Sequence, residues 1–295
     1  MTNTQITYQS DTAQLSRLLL KHARDAFVDQ EKIRSEAGPL NYLSDPDFEK
    51  AVRDYDQFAE LLTKLGISVE FLPPANSTTL DSIYVRDNAI TSNAGVVLCN
   101  MGKAQRSPEP LEQRKFYQEQ QFNILPDMPE DACLEGGDVT WLKNDILAVA
   151  RGYRTNQAGI DYLRDNISTA AEIIEVPLPH FRGPADVFHL MSIISPISDD
   201  IVVVYSPLMS VPFRERLLDE GYRLVEVPES EFDTLGCNIL AAAPGVCIMA
   251  EGSPVTRNKL IELGVEVHEF KGQEISMKGC GGPTCLTRPL ERILS

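Results

Sequence analysis

Five times along the 295 residues a helical pattern runs straight into a short strand rich in β-branched residues, and this recurrence limits the fold more than any other feature of the chain. The helical pattern at Asp47–Leu65 leads to "ISVEFLP" from Ile67, and that at Leu111–Gln121 leads to "FNILP" from Phe122. "TNQAGIDYLRDNI" leads to "AEIIEVPLP" from Ala171, "PFRERLLDEG" to "YRLVEVPE" from Tyr222, and "TRNKLIELG" to "VEVHEF" from Val265. Successive strand starts are 55, 49, 51 and 43 residues apart. Between the units lie predicted hairpins with turns at Asn93-Ala94-Gly95, Lys143-Asn144-Asp145, Asp199-Asp200 and Pro244-Gly245. "RLLLKH" near the start and "CLTRPLERI" near the end supply the remaining hairpin.

A unit of hairpin, helix and strand cannot bury both of its faces alone. Set radially, five such units pack sheet against helix and leave a central channel. The predicted fold is therefore α/β, a five-bladed α/β propeller with pseudo-five-fold ββαβ repeats. A three-layer α/β sandwich is the alternative. No Pro/Gly/Ser-rich linker or low-complexity tract interrupts the pattern, so residues 1–295 read as a single domain.

The formal net charge of −16 argues against nucleic acid and anionic membrane as partners, because both need a basic footprint. It mildly favours small cationic substrates. The polar N-terminus lacks the basic and apolar regions of a signal peptide, and no apolar run approaches the ~18 residues of a membrane span. Six scattered cysteines (99, 133, 237, 247, 280 and 285), mostly in apolar stretches, suggest reduced thiols and a cytoplasmic protein. Neither a Cys-x-x-Cys pair nor clustered histidines occur, so no metal and no cofactor are expected.

Four stretches break the strand–helix routine with clustered polar residues. "LDSIYVRDNAI" carries Asp81, Arg86 and Asp87; in an extended strand the two aspartates would share a face. "CLEGGDVTWL" sets Glu135 and Asp138 around two glycines that permit close backbone approach to a ligand. His189 opens the apolar strand of "FHLMSIIS", and Cys285 follows a glycine run that reads as a flexible hinge. Each has a plain structural reading: turn caps, pairing with local arginines, a core histidine, a buried thiol. Their spacing argues for more. Asp87, Glu135, His189, Asn238 and Cys285 fall at or near successive hairpin starts, 48, 54, 49 and 47 residues apart. In a radial arrangement all five face the channel. An ionised thiol attacks electrophilic carbon, and paired carboxylates suit a guanidinium, which they bind in bidentate fashion. The cation would in turn favour the thiolate, and His189 could protonate a leaving nitrogen and then activate water.

These motifs resemble the guanidino-group-modifying enzymes, or penteins, which include dimethylarginine dimethylaminohydrolases, arginine deiminases and amidinotransferases. The resemblance rests on "VRDNA", "LEGGDV", "RTNQAGIDYLR", the histidine of "FHL" and "GGPTCLTRPLER", and runs from about Arg17 to the C-terminus. It implies the five-fold propeller, Cys285 as the nucleophile of a covalent thiouronium intermediate, His189 as general acid and base, and Glu135 as its carboxylate partner. It further implies Asp87 as the guanidinium-binding carboxylate, Asp81 for a substrate α-amino group, Arg106 and Arg154 for the α-carboxylate, and "EAGPLNYLSD" (36–45), before the first helix, as a substrate lid. The histidine motif reads His189-Leu190-Met191 where deiminases and amidinotransferases read His-x-Asp, and a methionine there tolerates methylated nitrogens. The "GGPTCLTRPL" ending looks more like theirs.

The expectation is thus a cofactor-free cysteine hydrolase of the guanidino C–N bond, acting on arginine or Nω-methylated arginine and releasing citrulline with ammonia or a methylamine. An amidinotransferase, a deiminase or dihydrolase, and a non-catalytic guanidine-binding protein are the rivals. The partner expected is a small cationic guanidino substrate, and a homodimer stays open.

Overall fold

In the computed structural model of the protein, which describes residues 5–167 and 171–294, the strands form five separate sheets, and four of them repeat one plan closely. Val139–Lys143 and Ile146–Arg151 pair antiparallel, the helix Gln157–Ile167 crosses over, and Glu172–Pro177 returns parallel to the second strand. Ile194–Pro196, Ile201–Val204, the helix Val211–Asp219 and Arg223–Glu226 do the same. So do Leu240–Ala243, Val246–Ala250, the helix Pro254–Glu262 and Glu266–Phe270. In the sheet that joins the chain ends, Arg288–Leu294 is antiparallel to Gln14–Leu20, and Ser68–Phe71 returns parallel after the helix Phe48–Lys64. A parallel return needs such a crossover, which is why every third strand follows a helix.

The remaining sheet is the weakest copy. Ala89–Ser92 and Gly95–Leu98 form its hairpin, but the expected strand "FNILP" contributes only a single parallel bridge, Val96 to Ile124. Pro126 follows at once and cannot donate to a ladder, which stops the pairing.

The helices lie against these sheets because their apolar residues recur at helical spacing. In Phe48–Lys64 the buried side chains are Ala51, Tyr55, Phe58 and Leu62, and Asp47 caps the first turn by accepting from the Lys50 amide at 2.9 Å. The middle strands are buried on both faces, as in Ile201–Val204, so they read as unbroken apolar runs. Among the described residues no helix is long and apolar enough to cross a membrane, and all six cysteines are free thiols.

Candidate active site

The polar residues spaced along the sequence stand at the heads of the first strands of the five sheets. Asp87 precedes Ala89–Ser92, Glu135 precedes Val139–Lys143, His189 precedes Ile194–Pro196, Asn238 precedes Leu240–Ala243, and Cys285 precedes Arg288–Leu294. The local conformation differs from a continued strand. Asp81 and Asp87 lie in two short 3-10 turns, Leu80–Ile83 and Val85–Asn88, so they do not share a strand face. Here the backbone closes on itself and on the cysteine loop: the Tyr84 amide donates to Asp81 O at 2.9 Å, and the Arg86 amide to Cys285 O at 3.2 Å. His189 likewise caps a one-turn helix, Leu190–Ser192, ahead of its strand, and does not open the strand itself.

Glu135 and His189 form a buried acid–imidazole pair, with Oε2 2.7 Å from Nε2. Glu135 Oε1 accepts from the backbone amides of Gly102 at 2.9 Å and Lys103 at 3.2 Å. Burial alone would raise the Glu135 carboxyl, but the hydrogen bond and charge of His189, with the nearby Arg154 and Arg106 guanidiniums, hold it well below the usual carboxylate range. Burial would likewise depress His189, yet Asp87, Asp138 and Glu135 together push it up to about 9, so it is an imidazolium at neutral pH. Behind the pair, Asp138 accepts from the Leu190 amide at 3.1 Å and from Thr155 Oγ1 at 2.7 Å, and Thr155 Oγ1 accepts from the Glu135 amide at 3.2 Å. This network fixes the two side chains to each other. Glu-Gly-Gly-Asp points to the Asp138 part of it; Thr155 lies within the RTNQAGIDYLR motif, which gives it no role of its own.

Asp87 Oδ2 pairs with Arg106, while Oδ1 is buried with no hydrogen-bond partner. A Cβ at Gly137 would stand 2.6 Å from that Oδ1 and 2.8 Å from His189 Nδ1. The glycine therefore lets its backbone press against these side chains, and it also lines one of the hollows at Cys285. Nor is the glycine run before Cys285 a loose hinge. A Cβ at Gly281 would fall 2.2 Å from the Tyr84 ring, and one at Gly282 2.5 Å from the Asn238 side chain. Asn238 clamps the loop: Oδ1 accepts from the Thr284 amide at 3.1 Å and hydroxyl at 2.8 Å, and Nδ2 donates to Cys285 Sγ at 3.2 Å. Burial, then the Asp87 carboxylate, push the Cys285 thiol up, with the Asn238 contact acting the other way.

At the far end, Asp81 is already paired. Lys103 Nζ lies 2.6 Å from its Oδ2 and 3.0 Å from Leu40 O, and both side chains are largely buried. Sequence reading missed Lys103, which lies in no motif. Leu40 belongs to the segment 36–45, which lies between the helices Gln30–Glu36 and Phe48–Lys64, so it does not precede the first helix. It packs down over the site, with the Leu43 amide donating to Lys278 O at 2.8 Å. Arg106 is enclosed: it donates to Glu109 at 2.8 and 3.1 Å, to Tyr84 O at 2.7 Å, and to Asp87. Glu109 thus already pairs with this guanidinium, and Arg106 still lines a hollow at Cys285. Arg154 makes only long contacts, 3.3 Å to Glu135 and 3.3 Å to Asp186 O.

Two hollows meet at Cys285 and His189. One is lined by Asp81, Asp87, Lys103 and Arg154, the other by Phe188, Met191 and Asp186. The ligand atoms of Asp87, Glu135 and His189 lie within 4.8 Å of one another and could hold a metal ion by distance. The direct Glu135–His189 bond leaves Asp87 Oδ1 as the unmatched acceptor, a better fit for a cation bearing N–H groups.

Comparison with known proteins finds relatives in sequence and in fold. The arginine deiminase of Listeria welshimeri is 25% identical over 252 residues, covering 71% of this chain and 61% of its own, so this chain spans less than two thirds of that relative. A dimethylarginine dimethylaminohydrolase from Pseudomonas aeruginosa, solved with citrulline, superposes with a TM-score of 0.76 at 17% identity, covering 94% of this chain and all of its own. An amidinotransferase from Microseira wollei superposes with a TM-score of 0.78 at 14% identity, covering 97% of both. The family described as N,N-dimethylarginine dimethylhydrolase, eukaryotic, matches residues 40–292, and the chain belongs to this family, within the pentein superfamily.

Proposed function

We propose that the protein is a cysteine-dependent hydrolase of guanidino C–N bonds, built as one five-bladed α/β propeller domain, and working in the cytoplasm, where a thiol stays reduced. The observation that carries the reading is the orphan acceptor Asp87 Oδ1, buried beside the Glu135–His189 pair in the hollow that Cys285 lines. An acceptor left unmatched in the interior costs roughly 1–3 kcal/mol, which a guanidinium N–H would recover.

The chemistry follows from the charges. The free thiol is neutral, held so by burial and by Asp87. A guanidinium bound to Asp87 and Glu135 offsets those carboxylates, and the thiol proton leaves to solvent. Cys285 Sγ then bonds to the guanidinium carbon. The His189 imidazolium gives its proton to the departing amine as the C–N bond breaks, leaving a thiouronium on Sγ. Neutral His189 next takes a proton from water, the hydroxide adds to the same carbon, and the C–S bond breaks as the new hydroxyl gives up its proton to the sulfur, leaving a ureido product and the neutral Cys285 thiol. The Met191 side of the second hollow accommodates methyl groups on the leaving nitrogen.

One observation favours a second reading of the substrate's other end. The Lys103 ammonium already occupies the carboxylate of Asp81, the seat expected for an α-amino group. An ω-guanidino acid without an α-amino group would leave that pair intact and offer its carboxylate to Lys103 and Arg154.

The test incubates the metal-free protein with arginine, monomethylarginine, asymmetric dimethylarginine and 4-guanidinobutyrate, following ureido product and amine by mass spectrometry. Ureido product without added amine is expected. Product formed only when an amine acceptor is supplied makes the protein a transferase, and binding without any product makes it a guanidine-binding protein.

A further inference from the structure

Beneath the cysteine loop, away from both hollows described above, three arginines are buried against one carboxylate. Arg86 and Arg292 are 1% exposed and Arg288 is 4% exposed. Arg86 Nη1 pairs with Asp11 Oδ1 at 3.3 Å, and its Nε donates to Thr284 O at 3.0 Å, next to the nucleophile. Asp11 Oδ2 is taken by Trp141 N at 2.8 Å and Thr140 Oγ1 at 3.1 Å. Arg288 donates to Ala89 O at 2.7 Å and Arg292 donates to Ala13 O, both neutral carbonyls. Among the described residues, Arg288 and Arg292 have no salt-bridge partner.

Three guanidiniums and a single carboxylate leave buried positive charge unbalanced, which is far costlier than an unmatched neutral donor. The donors show it directly: Arg86 Nη2, Arg288 Nε, and Arg292 Nε and Nη2 are buried with no acceptor. A water molecule could fill a hydrogen-bond vacancy but not the charge imbalance. The strain is visible in acidity too, since burial and the neighbouring guanidiniums depress Arg288 to about 9 and Arg292 to about 10. Arg288 and Arg292 also line a hollow together with Thr7, Ser10, Thr91, Trp141 and Glu291, whose carboxylate is paired with Arg17 at 3.0 Å, with room for one particle of about water size.

We propose that this hollow is an anion site that binds one small monovalent inorganic anion of chloride size, held by Arg288 and Arg292. The occupied site stabilises the fold, and through Arg86 and Thr284 it underpins the Cys285 loop. Anion binding does not require the guanidine chemistry, since neither Arg288 nor Arg292 lines the hollows at the thiol.

The experiment measures thermal unfolding of the full chain after exchange into sodium gluconate, titrating sodium chloride or bromide at constant ionic strength. A saturable rise in Tm is expected, about 5 °C at a halide concentration about a hundred times Kd. Arg292→Met removes one unbalanced charge, so it should match or exceed the wild-type Tm in gluconate and lose most of the halide-dependent rise. Should that variant fail to fold, anomalous diffraction from bromide-soaked wild-type crystals decides, with a peak expected between Arg288 and Arg292. A wild-type Tm that is indifferent to halide at fixed ionic strength, a rise unchanged in Arg292→Met, or an empty hollow in bromide would each overturn the site.

Discussion

Lys103 carries no motif, yet its ammonium lies 2.6 Å from Asp81 inside the hollow that Cys285 lines. That one contact sets what the far end of a substrate meets. Binding can be read without turnover in Cys285→Ser, which keeps the pocket and removes the proposed nucleophile. In that background, Lys103→Met should strengthen arginine binding about tenfold or more, because Asp81 is freed for an α-ammonium, and weaken 4-guanidinobutyrate by a similar factor. Calorimetric titration of both ligands checks it; a ratio unmoved by the substitution removes Lys103 from substrate selection. At this same scale the sequence showed residue types well and partners badly. Cys285, His189, Glu135 and Asp87 stood out by type and spacing. That Arg106 is held by Asp87 and Tyr84 as well as by neighbouring Glu109 could not be read, because a guanidinium's distant partners depend on which loops fold over it.

The element that most needs its sequence is the strap Gly281–Gly282–Pro283–Thr284 before the cysteine. It passes so near Tyr84 and Asn238 that side chains have no room, and Asn238 holds it through Thr284 while touching the thiol. Gly282→Ala places a methyl 2.5 Å from the Asn238 side chain, so the strap must shift. A displacement of about 1 Å at a nucleophile costs roughly 100-fold in rate. The expected result is kcat lowered by about that factor, with far-UV circular dichroism and substrate affinity close to wild type; wild-type kcat would show the strap to be tolerant. The sequence marked this stretch through its glycines but suggested the opposite property, flexibility, since glycine serves both loose chain and close approach. The turns carrying Asp81 and Asp87 misled for a related reason: apolar, β-branched neighbours read as strand, while contacts to the cysteine loop bent the backbone into 3-10 turns.

For the whole molecule, the buried acid–imidazole pair ties stability to pH. His189 has its proton affinity raised in the folded protein, from 6.5 to about 9, so its contribution is fully present below pH 6.5 and is lost as pH rises through about 9. Glu135 is shifted the other way, and its contribution fades as pH falls below the usual carboxylate range. Chemical denaturation should therefore show stability falling by on the order of 3 kcal/mol between pH 6.5 and 9. His189→Gln should flatten that slope, and a wild-type slope of zero would show that the pair is not charged as described.

The sequence by itself determined the repeated unit, its order and the residue types at the head of each hairpin. Periodicity and turn chemistry are local properties, written within some fifty residues, and the fold class follows from them. Tertiary structure decided which polar groups meet: Lys103 with Asp81, Asn238 with Cys285, and Arg86 with Asp11. Electrostatic pairing acts through space over a few ångströms, and several of those partners lie scores of residues apart in the chain, so no window of sequence contains them.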